Sequence, residues 1–262
     1  MLVKEGGRDR HEPIYSLAIG IGRVLFGGLL QLKPIVSGIE LIPRSGGAVL
    51  ALTHFGYLDF ALTEWVVWLH TRRRIRFLAT QAAFDKPVVG WLLRSMRHIS
   101  VNMQAGGDAY VNAVEALRSG ELVGVFPEAG VSASFTVRKF KTGAVRMSAE
   151  AGTPIVPIVV WGGQMLKTKA HRARLRDAFR APILVDVAEP IRVSSADDPQ
   201  VATEQLRQTM QAHLNRTQAS YPRTGSGQWW QPAHLGGTAP TPEVAAVAET
   251  ERQRRKAAAR GR

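Results

Sequence analysis

The sequence has 262 residues, of which 45% are hydrophobic, so it can build a sizeable core and wholesale disorder is excluded. It contains no cysteine, which excludes a disulfide scaffold, cysteine-based zinc sites and a thiol nucleophile. The formal net charge of +13 predicts an anionic partner, and nucleic acid, an anionic membrane or a phosphorylated substrate would each satisfy it.

The N-terminal region, residues 1–34, begins with a polar segment and continues as an apolar stretch from Ile14 to Leu32. Small or polar residues recur there at steps of three or four, on one narrow helical face: Ser16, Gly20, Arg23, Gly27 and Gln31. The pattern predicts an amphipathic helix lying on a membrane surface. A buried core helix and a membrane-spanning helix are the alternatives, and the charge of Arg23 in mid-segment disfavours the span. No cleavable secretory signal is evident.

Between residues 35 and 220, short apolar segments alternate with helical patterns. The predicted strands are Ala48–Leu52, Arg76–Ala79, Ile99–Val101, Leu122–Phe126, Ile155–Val160 and Ile183–Val187. The predicted helices are Leu58–Thr71, Val88–Met96, Asp108–Leu117, Gly143–Ala151 and Val201–Arg216. The strands are mostly apolar on both faces, as buried strands are. We therefore predict a single layered α/β domain with a central mixed, largely parallel sheet flanked by helices.

Residues 221–262 have a different character. The stretch 221–242 carries four prolines and four glycines, and the final segment is rich in alanine with a basic run from Arg252 to Lys256. This composition predicts a basic, extended tail, in which only the end could be helical, and no second domain.

The first candidate catalytic motif runs from Thr53 to Asp59, directly after the strand Ala48–Leu52. On one continuous helix, His54 and Asp59 would lie about 140° apart and could not meet. If Gly56 lets the chain turn, Asp59 can reach back from the next helix, hold one imidazole nitrogen and leave the other as a base. In the alternative, Asp59 only complements the helix N-terminus and His54 is a capping or buried polar residue.

The second candidate motif runs from Phe126 to Ser132, after the strand Leu122–Phe126. Pro127 ends the strand, and Glu128 lies beyond its carboxyl end, where α/β sheets place groups that contact ligands. An ordinary turn with an exposed glutamate is the alternative.

A short basic segment follows and leads into the helix that begins at Gly143. Its cations are Arg138, Lys139 and Lys141. Cations next to a helix N-terminus favour an anion site. A solvated charge cluster is the alternative.

Taken together, these motifs resemble the lysophosphatidic acid acyltransferase family of glycerolipid acyltransferases. The order and spacing of the family's blocks agree over about residues 35–193, which is the whole predicted domain. The matching residues are His54 and Asp59 of the His-x4-Asp block, Phe126, Pro127 and Glu128 of the Phe-Pro-Glu-Gly block, residues 140–143, and the apolar strand Val156–Val160 with its internal proline.

The sequence also departs from the family pattern. Thr53 and Gly56 replace the usual Asn and Ser around the histidine, and Met103 stands where an Arg is usual. The usual Gly-Thr-Arg of the third block is Ala129–Val131, and residues 79–82 lack a frequent Lys. Several cations that the family places near the acceptor phosphate are therefore missing, which bears on the acceptor more than on the reaction.

The resemblance implies acyl transfer without a metal or cofactor. His54 would act as general base on the acceptor hydroxyl, which attacks an acyl thioester of coenzyme A or acyl carrier protein. Asp59 would orient His54, and backbone N–H groups of the turn would stabilise the oxyanion. The candidate substrate-binding residues are Phe126, Pro127, Glu128 and Gly130 of the third block and, as replacements for the missing family cations, Arg138, Lys139 and Lys141.

The acceptor implied by the resemblance is 1-acylglycerol 3-phosphate, in the biosynthesis of phosphatidic acid and phospholipids. Free glycerol 3-phosphate and a glycolipid are alternative acceptors. A basic nucleic-acid-binding module and a non-catalytic membrane scaffold are alternatives of another class. Nucleic acid is disfavoured as a partner because the cations do not interleave with aromatic residues and no recognised motif is present.

The basic segment from Lys167 to Arg180 suits the phosphates of coenzyme A or of anionic lipids. Together with the N-terminal helix it would supply the two signals that stable peripheral attachment needs. We therefore expect the protein at the cytoplasmic face of the cell membrane, as a peripheral or monotopic protein. A solvated basic face is the alternative.

Overall fold

A seven-stranded sheet forms the centre of the described structure. The computed structural model describes residues 12–102, 107–169, 171–172 and 174–260. The strands are β1 (Pro34–Ser37), β2 (Ala48–Leu52), β3 (Ile75–Thr80), β4 (Ile99–Val101), β5 (Leu122–Val125), β6 (Ile155–Trp161) and β7 (Ile183–Val187), in the order β1-β7-β6-β2-β5-β3-β4. All neighbours are parallel except β6 and β7. The predicted mixed, largely parallel sheet is confirmed.

Nine α-helices connect and flank these strands within the described residues. They are α1 (Pro13–Gly22), α2 (Asp59–Thr71), α3 (Gln81–Phe84), α4 (Pro87–Ser95), α5 (Gly107–Arg118), α6 (Gly143–Ala151), α7 (Leu175–Ala178), α8 (Pro199–Ala219) and α9 (Pro242–Arg260). Short 3₁₀ helices lie at Ile39–Leu41, Gly163–Met165 and Ala233–Leu235. Every predicted strand and helix is present, with ends that differ by at most three residues, whereas β1, α3 and α7 were not predicted.

Both faces of the sheet are buried. Because successive side chains of a strand point to opposite sides, each central strand contributes to two hydrophobic clusters. In β2, Leu50 and Leu52 belong to one hydrophobic cluster, which includes Leu62 and Val66 of α2. Val49 and Ala51 of the same strand belong to the second cluster, formed with α5, α6 and α8. The uninterrupted apolar character of the strands therefore reflects helical layers on both sides.

The predicted N-terminal helix is present, but it divides its apolar residues between two environments. It starts as α1 and continues as a π-helical segment, Arg23–Leu29, where the N–H of Leu30 donates to the carbonyl of Leu25 at 2.9 Å. The buried residues are Tyr15, Ile19, Phe26 and Leu30, and the exposed apolar residues are Leu17, Ile21, Val24, Leu25 and Leu29. Among the described helices, none combines the length and the apolar character that a membrane crossing requires.

The prediction of an extended C-terminal tail is wrong for residues 221–241, whereas the helix that the sequence allowed at the end of the tail is present. Residues 242–260 form the helix α9, and the segment before it packs on the domain: Trp230 and Ala239 are buried, and the Tyr221 hydroxyl donates to the Pro182 carbonyl at 3.1 Å. The prolines and glycines of this segment make turns around buried aromatic side chains, and the alanine-rich end has high helix propensity.

Candidate active site

The two candidate motifs lie side by side at one edge of the sheet. Strands β2 and β5 are adjacent and parallel, with Ala51 opposite Val125, so the loops that follow them leave the sheet together. The N–H of Ser132 donates to the carbonyl of His54 at 2.7 Å and joins the two loops. The sheet therefore brings together residues that are more than seventy positions apart in the sequence.

His54 and Asp59 form the predicted pair. The chain turns at residues 55–58 before α2 begins, and Nδ1 of His54 lies 3.4 Å from Oδ2 of Asp59. The imidazole is mostly buried, with its side chain 15% exposed, and the carboxylate is fully buried. A hydrogen bond of this length is common in a site without substrate. It directs Nδ1 to the carboxylate and leaves Nε2 to accept a proton.

The backbone of the turn holds the Asp59 carboxylate. Its Oδ2 accepts hydrogen bonds from the N–H groups of Phe55, at 2.8 Å, and Gly56, at 2.7 Å. Burial raises the pKa of Asp59, and the hydrogen bonds from His54, Gly56 and Phe55 oppose that shift by favouring the ionised form. Asp59 therefore orients the imidazole from a position that the turn itself defines.

The oxyanion donors implied by the family resemblance are not the first amides of this turn. The N–H groups of Phe55 and Gly56 donate to Asp59, and the N–H of Tyr57 donates to the carbonyl of Lys167 at 2.8 Å. In this conformation these three amides are engaged within the protein, so that expectation is corrected for residues 55–57.

Two glycines make room for Asp59. A β-carbon at Gly56 would lie 2.6 Å from the carbonyl oxygen of Gly163, and a β-carbon at Gly163 would lie 2.1 Å from Oδ1 of Asp59. Gly56 is therefore needed for close approach as well as for the turn. Gly163, which follows β6, belongs to no motif singled out in the sequence, because its contact is created only when β6 lies beside β2.

Phe126 contacts the imidazole directly. The rings of His54 and Phe126 stack with centroids 4.0 Å apart and an interplanar angle of 22°. The ring of Phe126 also stacks with that of Phe77 of β3, with centroids 5.9 Å apart. Pro127 is buried, and its carbonyl accepts a hydrogen bond from the N–H of Lys141 at 2.9 Å. Phe126 thus fixes one face of the histidine, while Pro127 anchors the basic segment to the loop.

Glu128 is buried, contrary to the alternative of an ordinary exposed glutamate. Its carboxylate lies 3.4 Å from Nε of Arg138, and the same guanidinium donates to the carbonyls of Glu128 and Gly130. Burial raises the pKa of Glu128 to about 7, although Arg138 and the backbone N–H of His54 lower it. Arg138 therefore stabilises the shape and charge of the loop beside His54.

The other two predicted cations, Lys139 and Lys141, do not pack against the Glu128 loop as Arg138 does. The side chains of Lys139 and Lys141 are exposed, whereas Arg138 is half-buried against the loop. Val131, at the position where the family has an Arg, is buried. Met103, the other position of a missing family Arg, lies outside the described residues. The substrate-binding roles assigned to these residues stay predictions.

A third segment, residues 167–169, completes the surroundings of the turn. In addition to the bond from Tyr57 to Lys167, the hydroxyl of Thr168 donates to the carbonyl of Phe55 at 2.8 Å. The sequence indicated a basic segment here, but not its contact with the His54 turn. Across the described part of the chain, no group of three His, Asp or Glu side chains is placed to hold a metal ion.

The sequence is similar to those of several known proteins. Residues 33–161 match the family model described as Acyltransferase. A Mycobacterium tuberculosis protein described as uncharacterized is 32% identical over 223 residues, a match that spans 69% of this chain and 60% of that protein. The 1-acyl-sn-glycerol-3-phosphate acyltransferase of Bacillus subtilis is 26% identical over 178 residues, 68% of this chain and 86% of the relative.

A solved structure shares the fold. The crystal structure of the 1-acyl-sn-glycerophosphate acyltransferase PlsC from Thermotoga maritima is similar with a TM-score of 0.66 and 20% sequence identity, over 83% of this chain and 86% of that one. At this identity the likeness concerns the fold. The chain spans about 60% of the length of the mycobacterial relatives that it matches.

Proposed function

Because the chain belongs to the lysophosphatidic acid acyltransferase family, through the acyltransferase domain at residues 33–161, we propose that it transfers a fatty acyl group from a thioester to a glycerolipid hydroxyl. The observation that carries the proposal is the His54 imidazole, which Asp59 holds at Nδ1 and Phe126 covers on one face. An imidazole fixed in this way presents Nε2 as a general base.

In the proposed reaction, Nε2 of His54 takes the proton of the acceptor hydroxyl while the hydroxyl oxygen attacks the thioester carbonyl carbon. The tetrahedral intermediate then collapses, the carbon–sulfur bond breaks, and the leaving thiolate takes the proton from the imidazolium. Asp59 keeps the imidazole in the required tautomer and stabilises its charged form. Every atom and charge is accounted for by the two substrates and His54.

For the acceptor we propose 1-acylglycerol 3-phosphate, as a step in phospholipid biosynthesis. The net charge of +13 and the activity for which the Bacillus subtilis relative is named support an anionic lipid acceptor. A glycolipid acceptor is the second candidate, because Val131 places a buried apolar side chain where the family has a cation. The donor is proposed to be acyl-coenzyme A or acyl carrier protein.

We also propose that the protein works at the cytoplasmic face of a membrane. Helices α1 and α4 pack together through Ile19 and Leu92, and Met96, directly after α4, belongs to the same cluster. Both expose apolar side chains away from that contact, of which Ile21 is 58% and Trp91 55% exposed. Tryptophan and aliphatic side chains on adjacent helices suit the boundary between headgroups and acyl chains.

The test of the reaction is turnover of palmitoyl-coenzyme A with 1-acylglycerol 3-phosphate, glycerol 3-phosphate and a glycolipid as separate acceptors, read by mass spectrometry. His54→Ala should lower acyl transfer at least about 100-fold, since it removes the base. Asp59→Asn should also be severe, because the imidazole loses its tautomer control.

The matched control is His70→Ala, at an exposed position near the end of α2. It should keep near-wild-type turnover. Circular dichroism should show that all three variants are folded. Near-wild-type turnover by folded His54→Ala would contradict the proposed base.

A further inference from the structure

A cleft lined by cations lies directly against the His54 turn. It has a volume of about 300 Å³, and we call it the anion cleft. Its lining residues are Tyr57, Thr168, Lys169, Glu249, Arg252 and Gln253. Tyr57 belongs to the turn between His54 and Asp59, and Thr168 is bonded to that turn. The cleft therefore borders the turn that joins His54 to Asp59.

Lys169, which lines this cleft, lies close to a second cation, Arg138, beside Gly130. A β-carbon at Gly130 would lie 3.2 Å from Nη2 of Arg138 and 4.0 Å from Nζ of Lys169. The two charged groups thus meet beside the loop of Glu128, although they come from segments some thirty residues apart. Lys169 is mostly buried, with its side chain 17% exposed, so its ammonium lacks the full hydration of a surface lysine.

A carboxylate of the C-terminal helix α9 is paired with Lys169. Oε2 of Glu249 lies 2.9 Å from Nζ of Lys169. Burial works to raise the pKa of the Glu249 carboxyl, but Lys169, Gln253 and Arg138 hold it below its usual value. The cleft therefore already holds one anionic group, and that group belongs to the chain itself.

The helix that carries Glu249 is weakly attached. Between residues 242 and 255, only Ala245, Ala248 and Glu249 are half-buried, and every other side chain is exposed. The Lys169–Glu249 pair is the one ion pair that joins α9 to the rest of the protein among the described residues. Alanine methyl groups bury little apolar area, and a partly exposed ion pair contributes little.

We propose that Lys169, with Arg138, binds the phosphate group of a substrate, and that Glu249 of α9 fills this subsite until the substrate displaces it. The inference rests on the proposed acyl transfer for its substrate class. A phosphate monoester carries more charge than a carboxylate and offers three acceptor oxygens, so it competes well for the same cations. The subsite would provide the positive charge that this chain lacks at Val131, where the family usually has an Arg.

The first experiment measures binding without catalysis, so it remains valid if the proposed reaction fails. Calorimetry with inorganic phosphate and with glycerol 3-phosphate compares the full chain with Lys169→Met, Lys169→Arg and Glu249→Gln. Lys169→Met should bind at least about 10-fold more weakly, because a charge-assisted hydrogen bond is lost, and Lys169→Arg should retain affinity. Glu249→Gln should bind about 3–10-fold more tightly, because a larger fraction of the molecules has a free subsite.

The control is Glu251→Gln, an exposed glutamate two positions further along α9. It changes the net charge equally and should bind phosphate like the unaltered chain. Equal affinities in the unaltered chain, Lys169→Met and Glu249→Gln would overturn the proposal, and so would an equal gain from Glu249→Gln and Glu251→Gln.

The source of the phosphate follows from kinetics of the active enzyme. If the acceptor supplies it, Lys169→Met raises the KM for 1-acylglycerol 3-phosphate and leaves that for palmitoyl-coenzyme A unchanged. If coenzyme A supplies it, the pattern reverses. Either pattern supports the subsite, and two unchanged KM values would overturn it.

Displacement of α9 can be observed directly because the chain has no cysteine. Spin labels on Val247→Cys of α9 and Val111→Cys of α5 occupy exposed positions. Glycerol 3-phosphate should broaden or shift the distance distribution between the labels, and Glu249→Gln should show the shift without ligand. A distribution that neither change alters would contradict displacement.

Discussion

Asp59 shows how a single side chain depends on residues that are distant in the sequence. Its Oδ2 is held by the amides of its own turn, but Oδ1 faces Gly163, which follows β6. Oδ1 is buried and has no hydrogen-bond partner among the described residues. The absence of a side chain at residue 163 therefore sets how deep the carboxylate can lie, and with it the position of His54.

Gly163→Ala should disturb this arrangement. The added β-carbon would lie 2.1 Å from Oδ1, so Asp59 or the segment after β6 must move. We expect a loss of about 1–3 kcal/mol in the free energy of unfolding and at least about a 10-fold loss of acyl transfer. Thermal melts and turnover of a short, soluble acyl-coenzyme A measure the two effects.

Gly20→Ala in α1 is the matched control, because a β-carbon there would meet no atom within 4 Å. It should be neutral or slightly stabilising in a helix. If Gly163→Ala behaved like Gly20→Ala in both measurements, the contact with Asp59 would not constrain the site.

At the scale of elements, a buried polar network joins α1 to α2 and β3. The Tyr15 hydroxyl of α1 donates to Glu64 of α2 and accepts from the N–H of Ile75 at 2.9 Å. Arg76 of β3 donates to Glu12, just before α1, at 2.6 Å. These bonds hold α1 against α2, the helix that begins with Asp59. The same buried network therefore positions the N-terminal helix and the helix that carries the candidate catalytic acid.

Glu64 makes the stability of this buried network depend on pH. Burial raises its pKa to about 8, although Tyr15 and Arg76 oppose the shift. Between about pH 4.5 and pH 8 the folded protein keeps a proton that the unfolded chain has released, so this group makes the free energy of unfolding fall as the pH rises. Above about pH 8 the carboxyl is ionised in both states, and its contribution to the free energy of unfolding no longer changes with pH.

Glu64→Gln should remove that dependence. Urea melts should show little difference from the unaltered protein at pH 4, where Glu64 is mostly protonated in both the folded and the unfolded state, and greater stability of the variant at pH 9. Glu115→Gln, at an exposed position on α5, is the control and should leave the difference between the two pH values unchanged. A variant that is less stable than the unaltered protein at pH 9 would show that Glu64 is stabilising as a carboxylate.

At the scale of the whole molecule, a group of exposed apolar side chains lies on the adjacent helices α1 and α4 and on the π-helical segment that continues α1. Deleting the N-terminal region would be a poor test of membrane binding. Phe26 and Leu30 belong to the main hydrophobic cluster, so their removal would open the core. Point substitutions on the exposed side separate attachment from folding.

The double variant Leu17→Gln, Ile21→Gln should lose at least about 10-fold in affinity for phosphatidylglycerol vesicles, since two aliphatic side chains no longer leave water. Both residues are more than half exposed, so the fold should persist. Val244→Gln, Val247→Gln on α9 is the matched control, and co-sedimentation is the measurement. Equal binding by both double variants would place the attachment surface elsewhere.

The sequence alone determined the layered α/β fold and the pairing of His54 with Asp59. Continuous apolar strands can be buried only under helices on both faces, and that pattern is local enough to read. The His54 pair could be predicted because both partners lie within one turn after one strand. Phe126 and Glu128 were recognised by their motif, but their stacking and ion-pair partners were not.

Only the tertiary structure decided what lies around the pair. Gly163 contacts Asp59 because β6 lies beside β2, and Lys169 reaches Gly130 because residues 167–168 bond to the His54 turn. The docking of residues 221–241 and the placement of Glu249 against Lys169 likewise depend on contacts between distant segments. Such contacts leave no periodic signal in the sequence, since each depends on strand order and on the shape of the finished core.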